Sequence, residues 1–309
     1  MEMGIVGLPN AGKSTLFNAL VSRRLAETAP RPFTTINPHE AVVTLPDGNL
    51  QTLSSIIKPQ ETIPASVTFI DIAGLVKGAH KGEGLGNQFL AKIREVDAFC
   101  HVVRAFYDPL VSHENTRFVM GSLEQIFDDI ETVNIELELG EIGDKPSVIV
   151  LNISEDDINS IDTDEKIIAV SEKFKTDTVA ISAKIEEDLV DFTQEEKESY
   201  LKQADIKNSG LEKLIIKAYE FLDLITFYTV KGGKEVHAWS FKRGKTAIDA
   251  ARKVHTDFAD KFIKAEVIGV EDLIKAGGWK EAKEKGKIRL EGKDYIVNNG
   301  DVIEFKVGN

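Results

Sequence analysis

The chain has 309 residues, 42% of them hydrophobic, and a formal charge of −13, enough length for about two domains with a substantial core. Its acidity excludes a simple coat of positive charge for nucleic acid, and with no basic-plus-apolar leader and no apolar run of transmembrane length, a soluble, unexported, cytoplasmic protein is expected. Cys100 is the only cysteine and permits no intrachain disulfide, and the six histidines lack the spacing of a metal site.

Residues 3–6 read as a short buried strand running into Gly7-Leu8-Pro9-Asn10-Ala11-Gly12-Lys13-Ser14-Thr15, a complete GxxxxGK[ST] phosphate-binding loop. Gly7 and Gly12 let the backbone turn so that successive N–H groups and the next helix start converge on phosphate oxygens. Lys13 brings a point charge to the β- and γ-phosphates and is the one candidate catalytic residue; the Ser14 hydroxyl can take one coordination position of Mg²⁺. Asn10, Ala11 and Thr15 complete the expected phosphate contacts. Next, Pro32-Phe33-Thr34-Thr35-Ile36 carries two hydroxyls where a GTPase has its Mg²⁺-ligating Thr, and Thr35 is the assigned ligand of the pair. A β-branched strand at 66–70 then delivers Asp71 at its C-terminal end, opening Asp71-Ile72-Ala73-Gly74. An Asp there reaches Mg²⁺ and the Gly N–H meets the γ-phosphate, so the following segment senses hydrolysis. Leu75 stands where Ras-like enzymes have a water-orienting Gln, so unassisted turnover is expected to be slow, about 10⁻⁴ to 10⁻² per second. The Gly-punctuated stretch 77–86, with Lys77 and Lys81 beside glycines, is suited to closing over phosphates.

Cys100 falls in the apolar strand 98–103, where a buried thiol is expected. A further strand at 147–151 leads into Asn152-Ile153-Ser154-Glu155, the position of a guanine-selective Asn-Lys-x-Asp. Ile153 replaces the Lys that packs over the base, and Glu155 replaces the Asp that accepts from guanine's ring N–H and amine. Sites built to hydrogen-bond a group discriminate by about 10⁴ to 10⁵, so this change favours ATP, with Asn152 offering its side-chain oxygen to the adenine amine. The strand 178–181 ends in Ser182-Ala183-Lys184, which flanks the base in GTPases. Residues 211–224 read as the last helix of the first domain. Lys231-Gly232-Gly233-Lys234 is a hairpin turn opening a small α+β domain with strands at 235–240, 263–270 and 302–307. The domains are therefore expected at 1–222 and 223–309, the first an α/β doubly wound sheet. Residues 223–309 carry a charge of +3 against −16 for the remainder, which makes the C-terminal part the better electrostatic partner for RNA, although Glu281 and Glu284 interrupt its basic stretch 280–289 as on a solvated helix face.

The segments GLPNAGKST, FIDIAGLVKGAHKGEGLGNQFLAKIREVDAFCHVVR, NISE and ARKVHTDFADKFIKAEV together resemble the YchF/Obg-like ATPase family over almost the whole chain. The resemblance implies a P-loop NTPase fold with a helical insertion, a C-terminal ubiquitin-like TGS domain, ATP hydrolysis in preference to GTP, and association with ribosomes. Two departures accompany it. In the insertion at about 110–144 only Gly140-Glu141-Ile142-Gly143-Asp144 separates the segment 128–139 from the next strand, so either most of the family's long helical arm is absent from this member or residues are missing from the sequence there. The family's His-Val-x-Gly reads Phe118-Val119-Met120-Gly121, so no role for that His is carried over, and His113 is only a nearby substitute. With no water-orienting group evident, a potassium ion held in part by Asn10 is expected to assist hydrolysis. A nucleotide hydrolase without a macromolecular partner is the alternative reading. A small-molecule kinase is disfavoured for want of a second substrate site.

Overall fold

The computed structural model describes residues 1–27, 39–72, 93–112, 117–204, 206 and 209–308. Along the chain run β1 (Glu2–Val6), α1 (Lys13–Glu27), β2 (Glu40–Thr44), α2 (Gly48–Ile57), β3 (Glu61–Ile63), β4 (Ser66–Asp71), β5 (Ala98–Arg104) and α3 (Leu123–Leu139). There follow β6 (Ser147–Asn152), α4 (Ile161–Phe174), β7 (Thr178–Ile181), α5 (Ala183–Asp188), α6 (Gln194–Gln203) and α7 (Gly210–Phe221). The last stretch holds β8 (Leu224–Lys231), β9 (Glu235–Lys242), α8 (Ala247–Val254), α9 (Thr256–Asp260), β10 (Phe262–Gly269), α10 (Val270–Ala276), α11 (Trp279–Glu284), β11 (Arg289–Glu291) and β12 (Asp301–Val307).

Two compact units result, Met1–Val43 with Val67–Phe221, and Thr44–Ser66 with Leu222–Asn309. In the first, strands order as β2-β4-β1-β5-β6-β7, and β4, β1, β5, β6 and β7 pair in parallel. β5 and β6 are near-continuous apolar runs because helices cover both faces of such a sheet, the doubly wound pattern expected. Ile126 and Ile130 of α3 pack with Val103, Ile149 and Leu151, while Val133 and Leu137 join Val6, Ile72 and Phe99. Parallel strands point their C-terminal ends the same way, so the segments leaving β1, β5, β6 and β7 meet on one edge, where ligands bind in open α/β sheets.

The second unit departs from the expected boundary. Its sheet orders as β11-β10-β12-β8-β9-β3, so residues inserted between β2 and β4 supply an edge strand, and α2 supplies a helix. Leu50 and Leu53 of α2 pack with Tyr228, Val236, Ile268, Leu273 and Val302 on one face, and Ala247 and Ala250 of α8 pack with Phe227, Val267 and Ile303 on the other. The segment 44–66 therefore belongs with the C-terminal part, contrary to a first domain running unbroken over 1–222. The helix expected at 211–224 also stops earlier, at Phe221. Asp223 takes a left-handed φ of 50° and turns the chain into β8, an apolar strand that helical spacing had absorbed in part. Among the described residues no helix is long and apolar enough to cross a membrane.

Candidate nucleotide site

The loop from β1 to α1 has the backbone its glycines predict. Gly7, Asn10 and Gly12 have φ values of 148°, 61° and 97°, a region that L side chains rarely enter. A Cβ on Gly7 would stand 2.2 Å from the Val102 carbonyl oxygen, and one on Gly12 would stand 2.1 Å from Asn152 Nδ2. The second approach is what allows Asn152 to work. Its Nδ2 donates to the Ala11 carbonyl at 3.0 Å, and its Oδ1 accepts from the Ala183 N–H at 3.0 Å. One side chain thus ties the phosphate loop, the end of β6 and the start of α5 together. An amide offers two N–H donors and two oxygen lone pairs, so this bracing role stands beside the expected base contact and does not replace it.

These segments enclose a cavity of about 750 Å³. Asn10, Gly12, Lys13, Ser14 and Thr15 line its phosphate-loop end, and Asn152, Ile153, Glu155, Ser182 and Ala183 line the opposite part. Ala11 contributes its backbone through Asn152. Lys13 is buried, with Nζ donating to the Leu8 carbonyl at 2.6 Å, whereas Ser14 is exposed at the helix start. His101, on β5, lies in the electrostatic reach of Lys13. Burial first, and the Lys13 charge second, push its imidazole down to about 3, so it stays neutral and leaves Lys13 as the cation beneath the loop.

Ile153 sinks into the core with Val103, Leu151 and Ile126, while Glu155 is exposed at the rim. Ser182 Oγ is buried and, among the described residues, has no hydrogen-bond partner. An orphaned hydroxyl in this wall fits a ligand with its own polar groups, as a nucleobase has. Asp71 ends β4 beside β1, in register with Ile5, and is half-buried. It stands one strand away and does not line the cavity. Oxygen donors such as Ser14 and Asp71 suit Mg²⁺, which prefers one or two protein oxygens and completes its shell with water and phosphate. Thr34, Thr35, Gly74, Leu75, the loop 77–86 and His113 lie outside the described residues.

Sequence reading missed one wall. Phe106, Tyr107, Asp108, Pro109 and Val111, in the loop after β5, also line the cavity. Arg104 organises them. Fully buried, its guanidinium donates to the carbonyls of Phe106, Asp108, Val111 and Ser112 at 3.0–3.3 Å, and Asn10 Nδ2 donates to the Ser112 carbonyl at 3.1 Å and its hydroxyl at 3.2 Å. An arginine closing a largely apolar strand was the available signal, because a buried guanidinium must find several acceptors nearby.

Residues 2–153 match a family model described as 50S ribosome-binding GTPase, and residues 224–308 match the YchF-GTPase C-terminal model, described as Protein of unknown function (DUF933). The chain is 39% identical to the ribosome-binding ATPase YchF of Bacillus subtilis (strain 168), covering 99% of each, and 38% identical to that of Escherichia coli O157:H7, covering 98% of each. The first alignment runs over 369 positions against 309 residues here, so at least 60 positions of the relative face no residue of this chain. A solved structure of the Schizosaccharomyces pombe YchF GTPase superposes with a TM-score of 0.81 at 30% identity, covering 99% of this chain and 97% of that one. With a P-loop cavity built as described and full-length similarity at this level, the chain belongs to the YchF family of P-loop nucleotide hydrolases.

Proposed function

We propose that this protein is an ATP-binding and ATP-hydrolysing switch that associates with ribosomes in the cytoplasm, with ATP preferred over GTP. The observation that carries the nucleotide preference is the base end of the cavity. Guanine needs a carboxylate accepting two hydrogen bonds, and the described wall offers a buried Ile153 and an exposed Glu155 instead. Adenine asks only for scattered polar contacts, among which the orphan Ser182 hydroxyl and the backbone near Ala183 are candidates. Lys13 and the loop N–H groups hold the phosphates. Ser14, Thr35 and Asp71 are the proposed Mg²⁺ ligands, and the ion, when bound, neutralises charge developing on phosphate oxygens. Hydrolysis is proposed to be slow and potassium-assisted, with residual GTPase activity. The Asn10 amide nitrogen is turned to Ser112, so its oxygen is the atom a cation would meet.

Ribosome association is supported by the names of the relatives, and RNA contact by the positive balance of 223–309. The C-terminal unit is proposed to be a TGS-type domain, completed by 44–66. The seven-residue connection 140–146 between α3 and β6 supports the reading that the family's arm is shortened there.

Co-sedimentation with ribosomal particles in the presence of ATP, ADP or a non-hydrolysable analogue is expected to depend on the nucleotide; pelleting indifferent to nucleotide, or none, would leave the alternative of a hydrolase with no such partner. In competitive titrations ATP is expected to bind at least as tightly as GTP. A preference for GTP of about tenfold or more would mean Glu155 still reaches the base. Equal turnover in matched KCl and NaCl would remove potassium from the scheme.

A further inference from the structure

The base-binding half of the cavity rests on α5, a helix of six residues, too short to hold its own position by backbone propensity. Something outside must fix it. The third residue after Ala183 is Glu186, which is 6% exposed, and its Oε1 accepts from the Leu211 N–H at 3.2 Å. Burial pushes this carboxyl above the ordinary range, while the Leu211 and Gly210 N–H groups, Lys197 and the Ser209 hydroxyl pull it back. Those N–H groups open α7, where a helix has donors without intrahelical partners and favours negative charge. The approach is close: a Cβ on Gly210 would lie 3.1 Å from Glu186 Oε1 and 3.0 Å from Ile181 Cγ2, so a larger residue there would make both side chains give way.

From Glu186 the connection to the ligand is short. Through α5 it reaches the Ala183 N–H, which donates to Asn152 Oδ1, whose amide in turn donates to Ala11 in the phosphate loop. We propose that Glu186 is the positioning residue of the base-binding half of the site: anchored on the first turn of α7, it sets the distance of the Ser182-Ala183 segment from the base. The inference rests on the reading of the cavity as a nucleotide site. It places Glu186 directly behind the Ser182-Ala183 segment, so its effect is expected in the part of the affinity that comes from the base more than in the part that comes from the phosphates, whose loop it meets only at the far end of the relay through Asn152.

Inorganic tripolyphosphate separates the two, because with Mg²⁺ it engages the phosphate loop and has no base. Dissociation constants for ATP and for tripolyphosphate are to be measured by calorimetry on the full chain, wild type and variants. In Glu186→Ala the ATP constant is expected to rise about tenfold while that of tripolyphosphate stays within about twofold. Glu186→Gln keeps an acceptor oxygen at the same reach and is expected to recover most of the loss. Should the Ala variant fail to fold, Glu186→Asp, one methylene too short, serves the same comparison. An ATP constant unchanged in the variant overturns the proposal, and so does an equal weakening of both ligands, which marks Glu186 as a general structural cap. Wild-type protein that binds tripolyphosphate but gains nothing from the base of ATP overturns the nucleotide reading beneath it as well.

Discussion

Lys13→Ala is expected to lower nucleotide turnover by about 10²- to 10³-fold, the cost of removing one preorganised charge or donor from a phosphoryl-transfer site. The side chain is committed to the loop. It is buried, its Nζ is 2.6 Å from the Leu8 carbonyl, and the neutral imidazole of His101 beside it adds no competing charge. An ammonium held there by the loop would meet the phosphates of a bound nucleotide from a position already fixed. The fold should survive, because one hydrogen bond to a charged donor contributes about 1.5–3 kcal/mol and the loop retains its tie through Asn152. Ser14→Ala, at the exposed start of α1, is expected to act differently, raising the Mg²⁺ concentration needed for activity. Turnover over a Mg²⁺ series, with thermal unfolding of each variant alongside, checks both. Unchanged affinity and turnover in the two variants would sink the site assignment.

The phosphate-loop end of this cavity was legible because its residues are consecutive in the chain. Nine consecutive residues supply the turn, the N–H groups, the charge and the hydroxyl, and the apolar run before them fixes where the strand ends. The opposite end, lined by Asn152, Ile153 and Ser182, was legible only in outline. Asn152 was found by its place at the end of β6, but a sequence does not say which backbone groups an amide at such a place braces; here it bonds Ala11 and Ala183, 141 and 31 residues away. Glu186 shows the same limit more sharply. In sequence it is one acid in Lys184-Ile185-Glu186-Glu187-Asp188, where a solvated helix face is the ordinary reading. Only the fold brings it to the start of α7. The Arg104 loop was hidden because its cavity-lining residues are held through their main-chain carbonyls, which carry no residue identity to read.

The domain boundary failed for a different reason, and the failure predicts a second large effect. Leu53→Ala is expected to destabilise the C-terminal unit by about 2–5 kcal/mol, although residue 53 lies some 170 positions before most of that unit. The residues of α2 form an amphipathic helix, but the spacing of apolar residues says nothing about which sheet such a stripe covers. In the structure Leu53 is 1% exposed and packs in the cluster of Tyr228, Val236, Ile268, Leu273 and Val302. Hydrogen bonds tie the segment down on the same sheet. β3 pairs in parallel with β9, the Tyr228 hydroxyl donates to Asp47 at 2.8 Å, and the Ser240 hydroxyl donates to the Ser66 carbonyl at 2.7 Å. Both tryptophans of the chain, Trp239 and Trp279, belong to this unit, so their fluorescence reports its unfolding apart from the nucleotide-binding unit. The tryptophan-detected midpoint is expected to fall by about 10 °C or more in the variant, while ATP affinity, set in the other unit, changes little. A midpoint that does not move would mean that the residues between β2 and β4 are dispensable to the C-terminal core. The same packing predicts that residues 222–309 expressed alone expose the face that Leu50 and Leu53 cover and unfold at lower temperature than the same unit in the full chain.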